Sequence, residues 1–258
     1  MAGGEFSGRH VLLVGTGGIG GAIADRLAAR GARLFGTHHG NGEGSEALAA
    51  RLPEGTWAGS ARLDARDADA VQAVAGRYGT ADSALGGIDT LVVTTGHRHQ
   101  LQLLAAMEPA TMQEIIETEL LAPALLVRAV LPGMCETGFG RIVLIGSDSG
   151  KAGTFGDPMS SAARAGLYGL AKSVARETAR LDITVNVVSP GPTDTGLLQG
   201  MLADDGLTGK VMSGTVKAIP KGRAARADEI AAAVAYLASR DAGFTTGQVL
   251  SVSGGLTM

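Results

Sequence analysis

The chain has a single cysteine, Cys135, so no internal disulfide can form. That fits a reducing compartment. It has no apolar run near the roughly 18 residues that a membrane-spanning helix needs, and its N-terminus shows neither a charged leader nor a small-residue cleavage site. It has no excess of either charge: 22 Lys and Arg against 25 Asp and Glu leave a formal net charge of −3. A basic footprint for nucleic acid or for an anionic membrane is therefore missing. Internal repeats, low-complexity tracts and linkers are missing too. No Cys or carboxylate cluster accompanies the paired histidines, so no metal site is expected. What these absences leave is a cytoplasmic protein with a small-molecule partner.

Glycine is abundant, forty residues in 258, and the length suits one domain. Such a composition goes with a tightly packed α/β fold whose turns approach a ligand closely. His10–Val14 reads as a buried strand, and Gly15-Thr16-Gly17-Gly18-Ile19-Gly20 follows it, opening a helix over 21–30. G-x-G-x-x-G between strand and helix brings backbone N–H groups and a helix N-terminus to a pyrophosphate. Gly15, Thr16, Gly17, Ile19 and Gly20 are therefore candidate dinucleotide contacts. The second strand, 33–37, runs into His38-His39, where an NAD-preferring site carries a carboxylate for the ribose 2′-OH. With no carboxylate there, a 2′-phosphate meets no repulsion and His39 could donate to it. NADP is expected ahead of NAD; the alternative for the two histidines is a solvated turn.

Helices are expected at 45–52 and 68–78, and strands at 59–63 and 88–95. The last of these closes in Thr94-Thr95-Gly96 and is followed by His97-Arg98-His99-Gln100. That is the carboxyl end of a strand, where ligands sit in such sheets. The four residues are either an exposed loop or part of the site. A long helix over 111–134 contains Pro123, which suggests a kink. The stretch 196–219 lacks a clean period, as a mobile substrate lid would, and 193–219 is taken as that lid. An amphipathic helix follows at 227–239.

Ile142–Glu177 reads IVLIGSDSGKAGTFGDPMSSAARAGLYGLAKSVARE, a strand ending near Ser147, a glycine-rich loop and a small-residue helix. This unit resembles the catalytic unit of the classical short-chain dehydrogenase/reductases. Ile183-Thr-Val-Asn186-Val-Val-Ser-Pro190-Gly191-Pro-Thr193-Asp-Thr195 resembles the same family's sixth strand and loop, and 246–255 its closing strand. The resemblance runs from Arg9 to the C-terminus. It implies an α/β fold over residues 1–258, a single Rossmann-like doubly wound parallel sheet of about seven strands with helices on both faces. It also implies that Asp64 contacts adenine and that Thr95 and Gly96 line the cofactor. Pro190, Gly191, Thr193 and Thr195 would cover the nicotinamide carboxamide. The helices 111–134 and 160–181 match those that build family homotetramers and homodimers.

The family's Tyr lies thirteen residues after the Ser, and its Lys four further on. Here those positions hold Ser160 and Arg164, and Glu119 stands where the family has an Asn. Of the four catalytic positions only Ser147 is retained. Tyr168 and Lys172 satisfy Y-x-x-x-K, but register puts Tyr168 at a variable position, about 80° around the helix and roughly 12 Å along it from Ser160. The resemblance thus implies a lost proton donor, because a serine hydroxyl is too weak an acid. Arg164 stays protonated, although its fork could bond ribose hydroxyls. Losing a positioned acid costs about 10²–10⁴-fold in rate.

Three readings follow. The first is an atypical reductase of a ketone, quinone or enone, with its proton from Asp148, His97, His99, water or the substrate itself. The second is a non-redox cyclase or dehydratase. The third is a catalytically silent nucleotide- or metabolite-binding protein.

Overall fold

The strands are β1 (His10–Val14), β2 (Arg33–His38), β3 (Trp57–Arg62), β4 (Thr90–Val93), β5 (Phe139–Ile145), β6 (Asp182–Pro190), β7 (Thr193–Asp194), β8 (Ala225–Arg226) and β9 (Val249–Val252), with β-branched residues and leucine dominating β1, β4, β5, β6 and β9. The computed structural model describes residues 4–79 and 85–258. Seven of the strands make one parallel sheet in the order β3-β2-β1-β4-β5-β6-β9, while β7 and β8 pair separately. The helices are α1 (Ile19–Ala28), α2 (Gly42–Arg51), α3 (Ala68–Tyr78), α4 (Pro109–Ile116), α5 (Ala122–Thr137), α6 (Ser149–Ala152), α7 (Pro158–Glu177), α8 (Gly196–Leu202), α9 (Leu207–Ala218) and α10 (Ala227–Ala238).

Both faces of the sheet are buried, so its strands read as continuous apolar runs. Alternate side chains then sort into two cores. Leu12, Val14, Leu91, Val93, Ile142 and Leu144 join α3, α5 and α7 on one face. Val11, Leu13, Val92, Val143 and Ile145 join α1 and α10 on the other. This is the single-domain Rossmann-like arrangement expected. Among the described residues, no helix is long and apolar enough to cross a membrane.

Local boundaries depart from expectation where side chains decide them. α2 starts at Gly42 rather than 45 because the Asn41 side chain accepts from Gly44 N and caps it. α1 starts at Ile19, directly on the glycine turn. The irregularity in the long helix falls at a π-helical turn, Glu117–Leu121, ahead of Pro123. Pro123 follows directly in the first turn of α5, and its missing N–H removes a helical donor to the π turn before it. The stretch 196–219 contains two helices, α8 and α9, divided by a turn at Asp204–Gly206 whose Asp204 carboxylate accepts from Gly206 and Gly209 N–H. Its many glycines and lysines hid that order.

Candidate active site

The strand order reverses between β1 and β4, which sets their carboxyl ends side by side, the usual ligand crevice of such sheets. Gly15 follows β1 with φ +91°, a conformation that disfavours any side chain. A Cβ on Gly20 would lie 1.9 Å from the Gly15 carbonyl, so the helix can close on the turn only with glycine there. Gly17 faces open space, with nothing within 4 Å of a built Cβ. Thr16 is buried, and its methyl group is turned toward Gly36 of β2. After β4, Thr94 Oγ1 lies 2.9 Å from the Val14 and Gly15 carbonyls and locks the two strand ends together.

The loop after β6 comes down on the same turn, with the Thr195 methyl 3.4 Å from a Cβ built on Gly18. Gly191 N donates to Val252 O at 3.2 Å, Pro190 O accepts from Asp148 N at 2.9 Å, and Thr193 Oγ1 donates to Gly191 O at 3.0 Å.

Two buried polar atoms here have no protein partner: His38 Nδ1 at the end of β2 and Thr95 Oγ1 after β4. Such a group costs about 1–3 kcal/mol when nothing satisfies it. With the glycine turn and helix N-terminus beside them, the donor set fits a dinucleotide.

His39 is exposed, its Nε2 3.6 Å from Asp64 Oδ2. Asp64 is not the free carboxylate that adenine recognition suggests. Arg66 holds it through Nε at 2.9 Å, Nη2 at 2.6 Å and its own backbone N–H at 3.0 Å. That bonding to Arg66, the largest influence, keeps the carboxyl far below the usual range.

Across the crevice, the π turn points Glu119 inward until it is 2% exposed. Single π turns within α-helices often mark functional sites. Glu119 Oε1 accepts from His97 N at 2.9 Å, and Oε2 accepts from Ser160 Oγ at 2.6 Å. Arg164 Nε lies 3.0 Å from Oε2. The other two guanidinium nitrogens donate to carbonyls at the ends of β5 and β4, Nη1 to Ile145 O at 2.8 Å and Nη2 to Thr95 O at 2.9 Å. A planar fork with donors on three nitrogens can bridge these three acceptors at once.

Ser160 is turned to Glu119 rather than to Ser147. Each nitrogen of Arg164 has one protein acceptor, which leaves one further N–H on each of Nη1 and Nη2.

Ser147 Oγ accepts from Ser149 N at 3.2 Å and from Ser149 Oγ at 2.9 Å, which leaves its own proton to donate. Asp148, expected as a proton source, is turned away from this group. Its Oδ1 accepts from Ser189 Oγ at 3.0 Å and Ser251 Oγ at 3.2 Å, under β6 and β9. The Tyr168 hydroxyl donates to the main-chain carbonyl of Ser147 and lies 3.1 Å from Ser189 Oγ, not on the Ser147 hydroxyl. Burial is the main influence pushing its pKa up. Lys172 is exposed.

The loop His97–Gln100 turns two histidines inward. His97 Nδ1 is 3.3 Å from His99 Nδ1, and His99 Nε2 is 2.7 Å from Asp157 Oδ1. Arg98, His99 and Gln100 form one wall of a groove of about 310 Å³ whose other wall is Gly196, Leu197, Met201 and Thr208. Leu101 N donates to Thr208 Oγ1 at 3.0 Å, tying the loop to α9. Asp157 was not legible beforehand. An Asp just ahead of Pro158 reads as an ordinary helix cap, and only the fold brings His99 to it.

Among the described residues, no three His, Cys, Asp or Glu side chains converge as metal ligands do.

A doubly wound parallel sheet with a glycine turn at its switch point and a groove beside it defines a class. The profile of the family described as Enoyl-(Acyl carrier protein) reductase matches residues 14–257. The chain belongs to the classical short-chain dehydrogenase/reductases, a family of oxidoreductases.

Among particular relatives, it is 38% identical over 255 residues to 3-oxoacyl-[acyl-carrier-protein] reductase FabG of Escherichia coli (strain K12), covering 98% of this chain and 99% of that one. It is 37% identical to Nodulation protein G of Rhizobium sp. (strain N33), again over 98% and 99%. The crystal structure of levodione reductase superposes with a TM-score of 0.89 at 30% identity, over 97% and 98% of the two chains.

Proposed function

We propose that this protein is an NADP(H)-dependent reductase of an activated small-molecule carbonyl, ketone, quinone or enone, whose proton does not come from helix positions 160 and 164. The observation that carries this reading is the saturated cluster of Glu119, Ser160 and Arg164. It stands in register where the family keeps its Asn, Tyr and Lys, and its members bond one another: Ser160 Oγ donates to Glu119 Oε2 and Arg164 Nε pairs with the same oxygen. The reductase relatives, FabG and levodione reductase, support carbonyl reduction as the reaction class.

In this reading the turn 15–20, Thr95, Gly96 and the loop 190–195 hold the dinucleotide, and His39 meets its 2′-phosphate. When bound, the nicotinamide supplies hydride. Ser147, held by Ser149 with its hydroxyl proton free, orients the substrate oxygen. Arg164 keeps the ends of β4 and β5 at a fixed spacing rather than handling a proton.

The groove is walled by Leu197 and Met201, and Leu207 stands beside Gly156, so the substrate carries an apolar body. Residues 193–219, with α8 and α9, serve as the lid over it. The protein works in the cytoplasm as a homodimer or homotetramer. An activated carbonyl suits such a site because its product anion is already delocalised and depends least on a strong acid.

A catalytically silent nucleotide-binding protein is the second reading, favoured by the same saturation. Fluorescence titration with both reduced cofactors, followed by absorbance at 340 nm with 9,10-phenanthrenequinone and with cyclohexanone, separates the two. The reductase reading expects tighter NADPH than NADH binding and oxidation with the quinone well above that with the simple ketone. NADPH binding without any oxidation would establish the silent reading instead.

A further inference from the structure

We infer that Arg62, at the end of β3, is the residue that selects NADP(H) over NAD(H), its guanidinium meeting the ribose 2′-phosphate. This rests on the cofactor reading above and supplies a fixed charge that His39 alone does not.

A 2′-phosphate is a monoester that brings about −1.5 to −2 charges at pH 7, and it is received at the end of the second strand of such sheets. The glycine turn 15–20 carries no basic side chain to meet it. Three arginines lie on α2 and around the end of β3, and two of them are already committed. Arg51 holds Asp25 through Nε and Nη2, each at 2.9 Å. Arg66 holds Asp64 through Nε at 2.9 Å and Nη2 at 2.6 Å. Arg62 is exposed and has no carboxylate partner among the described residues. Its one bond runs from Nε to the main-chain carbonyl of His39 at 3.1 Å. That bond ties the guanidinium to the loop after β2 and leaves both terminal nitrogens to take oxygens of an anion. A planar fork matches phosphate oxygens in this way, and arginine keeps its charge at any working pH.

The loop beside Arg62 is open as well. β2 and β3 pair with His38 opposite Arg62, which sets the loop after β2 next to the end of β3. His38 is turned under the start of α2, its Cε1 3.4 Å from a Cβ built on Gly42, and its Nδ1 is buried without a partner. A Cβ built on Gly40 meets nothing within 4 Å. The main-chain N–H groups of Gly40 and Asn41 have no acceptor among the described residues. Unspent N–H groups next to an unpaired guanidinium suit a group with several acceptor oxygens and a double charge.

The neighbouring carboxylates do not cancel that charge. Asp64 is taken up by Arg66, with His39 Nε2 at 3.6 Å on the same carboxylate. Glu43, on the first turn of α2, is exposed, so solvent and salt screen it. Arg62 therefore contributes a positive charge that no ion pair in the protein uses.

The test uses the full-length protein and reads binding alone. Kd values for NADPH and NADH are taken by fluorescence titration in the wild type, Arg62→Gln, Arg62→Lys, Arg62→Glu and His39→Gln, with 2′,5′-ADP and 5′-AMP titrated as competitors. In Arg62→Gln the Kd for NADPH should rise by about 10–100-fold, the range for hydrogen bonds to a charged group, while that for NADH moves less than about twofold. The advantage of 2′,5′-ADP over 5′-AMP should shrink in parallel. Arg62→Lys should keep part of the preference, since it retains the charge without the fork, and Arg62→Glu should turn the preference toward NADH. His39→Gln should cost NADPH less than Arg62→Gln does. Retained NADH binding reports that each variant is folded. A wild type that prefers NADPH, with an Arg62→Gln variant that keeps the preference or a His39→Gln variant that loses more of it, would overturn the role of Arg62 and leave the NADP reading intact. Equal loss of both cofactors in Arg62→Gln would also overturn it, marking the bond to His39 as a tie between strand ends. A wild type with no preference for NADPH would overturn both.

Discussion

The two sides of the crevice differ in how completely their polar atoms are satisfied. On the β1–β2 side, Gly17 faces open space, and His38 Nδ1 and, next door, Thr95 Oγ1 are buried without a partner. On the α4–α7 side, both oxygens of Glu119 and all three nitrogens of Arg164 are engaged within the protein. Buried polar groups are almost always paired in folded proteins. An orphan therefore points to a partner that arrives later, and a saturated cluster points to a partner already present. On the reading proposed above, the first side receives the ligand, while the second is closed by contacts within the protein.

The sharpest way to break this contrast is to reopen the closed side. Glu119→Asn, Ser160→Tyr and Arg164→Lys together would put a phenol one helical turn from an ammonium, which can depress its pKa. The triple variant should raise the turnover of simple ketones such as cyclohexanone by about 10²–10⁴-fold. A variant that folds and binds NADPH but gains nothing in the 340 nm assay would mean that the two sides differ by more than this cluster.

Removing half of the closed pair comes next. Arg164→Met leaves Glu119 charged, buried and unpaired, and should cost about 3–5 kcal/mol in urea unfolding. Adding Glu119→Leu should recover much of that loss, because an apolar pair of similar volume is often neutral. Equal stability of wild type and Arg164→Met would show that the cluster is not structural.

The smallest effect belongs on the open side. Gly17→Ala meets no atom within 4 Å, so thermal unfolding should stay within about 0.5–1 kcal/mol of wild type, the range of glycine-to-alanine effects. NADPH affinity should nevertheless fall by about tenfold, or 1.4 kcal/mol, because a methyl group would stand where a phosphate approaches the backbone. An unchanged Kd would remove the turn from the binding site.

Most of the fold was legible in the chain. The doubly wound parallel sheet was implied by the resemblance to the family, and apolar runs of strand length between helical segments agree with it because both faces must be covered. The run at 10–14, the turn at 15–20 and the helix at 68–78 followed from residue type, and the structure adds that the Asp67 side chain caps the last by accepting from Asp69 N and Ala70 N. Local signals failed where a neighbour far along the chain decided. The turn of Glu119 toward Ser160 and Arg164 has no short-range signature, whereas the pairing of Arg66 with Asp64 and the Asp204 turn between α8 and α9 are local contacts that residue type alone did not announce.

By itself, then, the sequence determined the architecture, the place of the nucleotide turn, and the identity of the residues at positions 119, 147, 160 and 164. Only the tertiary structure decided where those side chains point. Glu119, Ser160 and Arg164 close on one another because burial in a low-dielectric interior leaves each charge or hydroxyl no better partner than its neighbour. The same folding brings His99 to Asp157 across 58 residues of chain. Spacing in sequence cannot report such a contact, since it depends on how a loop after β4 and a helix after β5 meet at one end of the sheet.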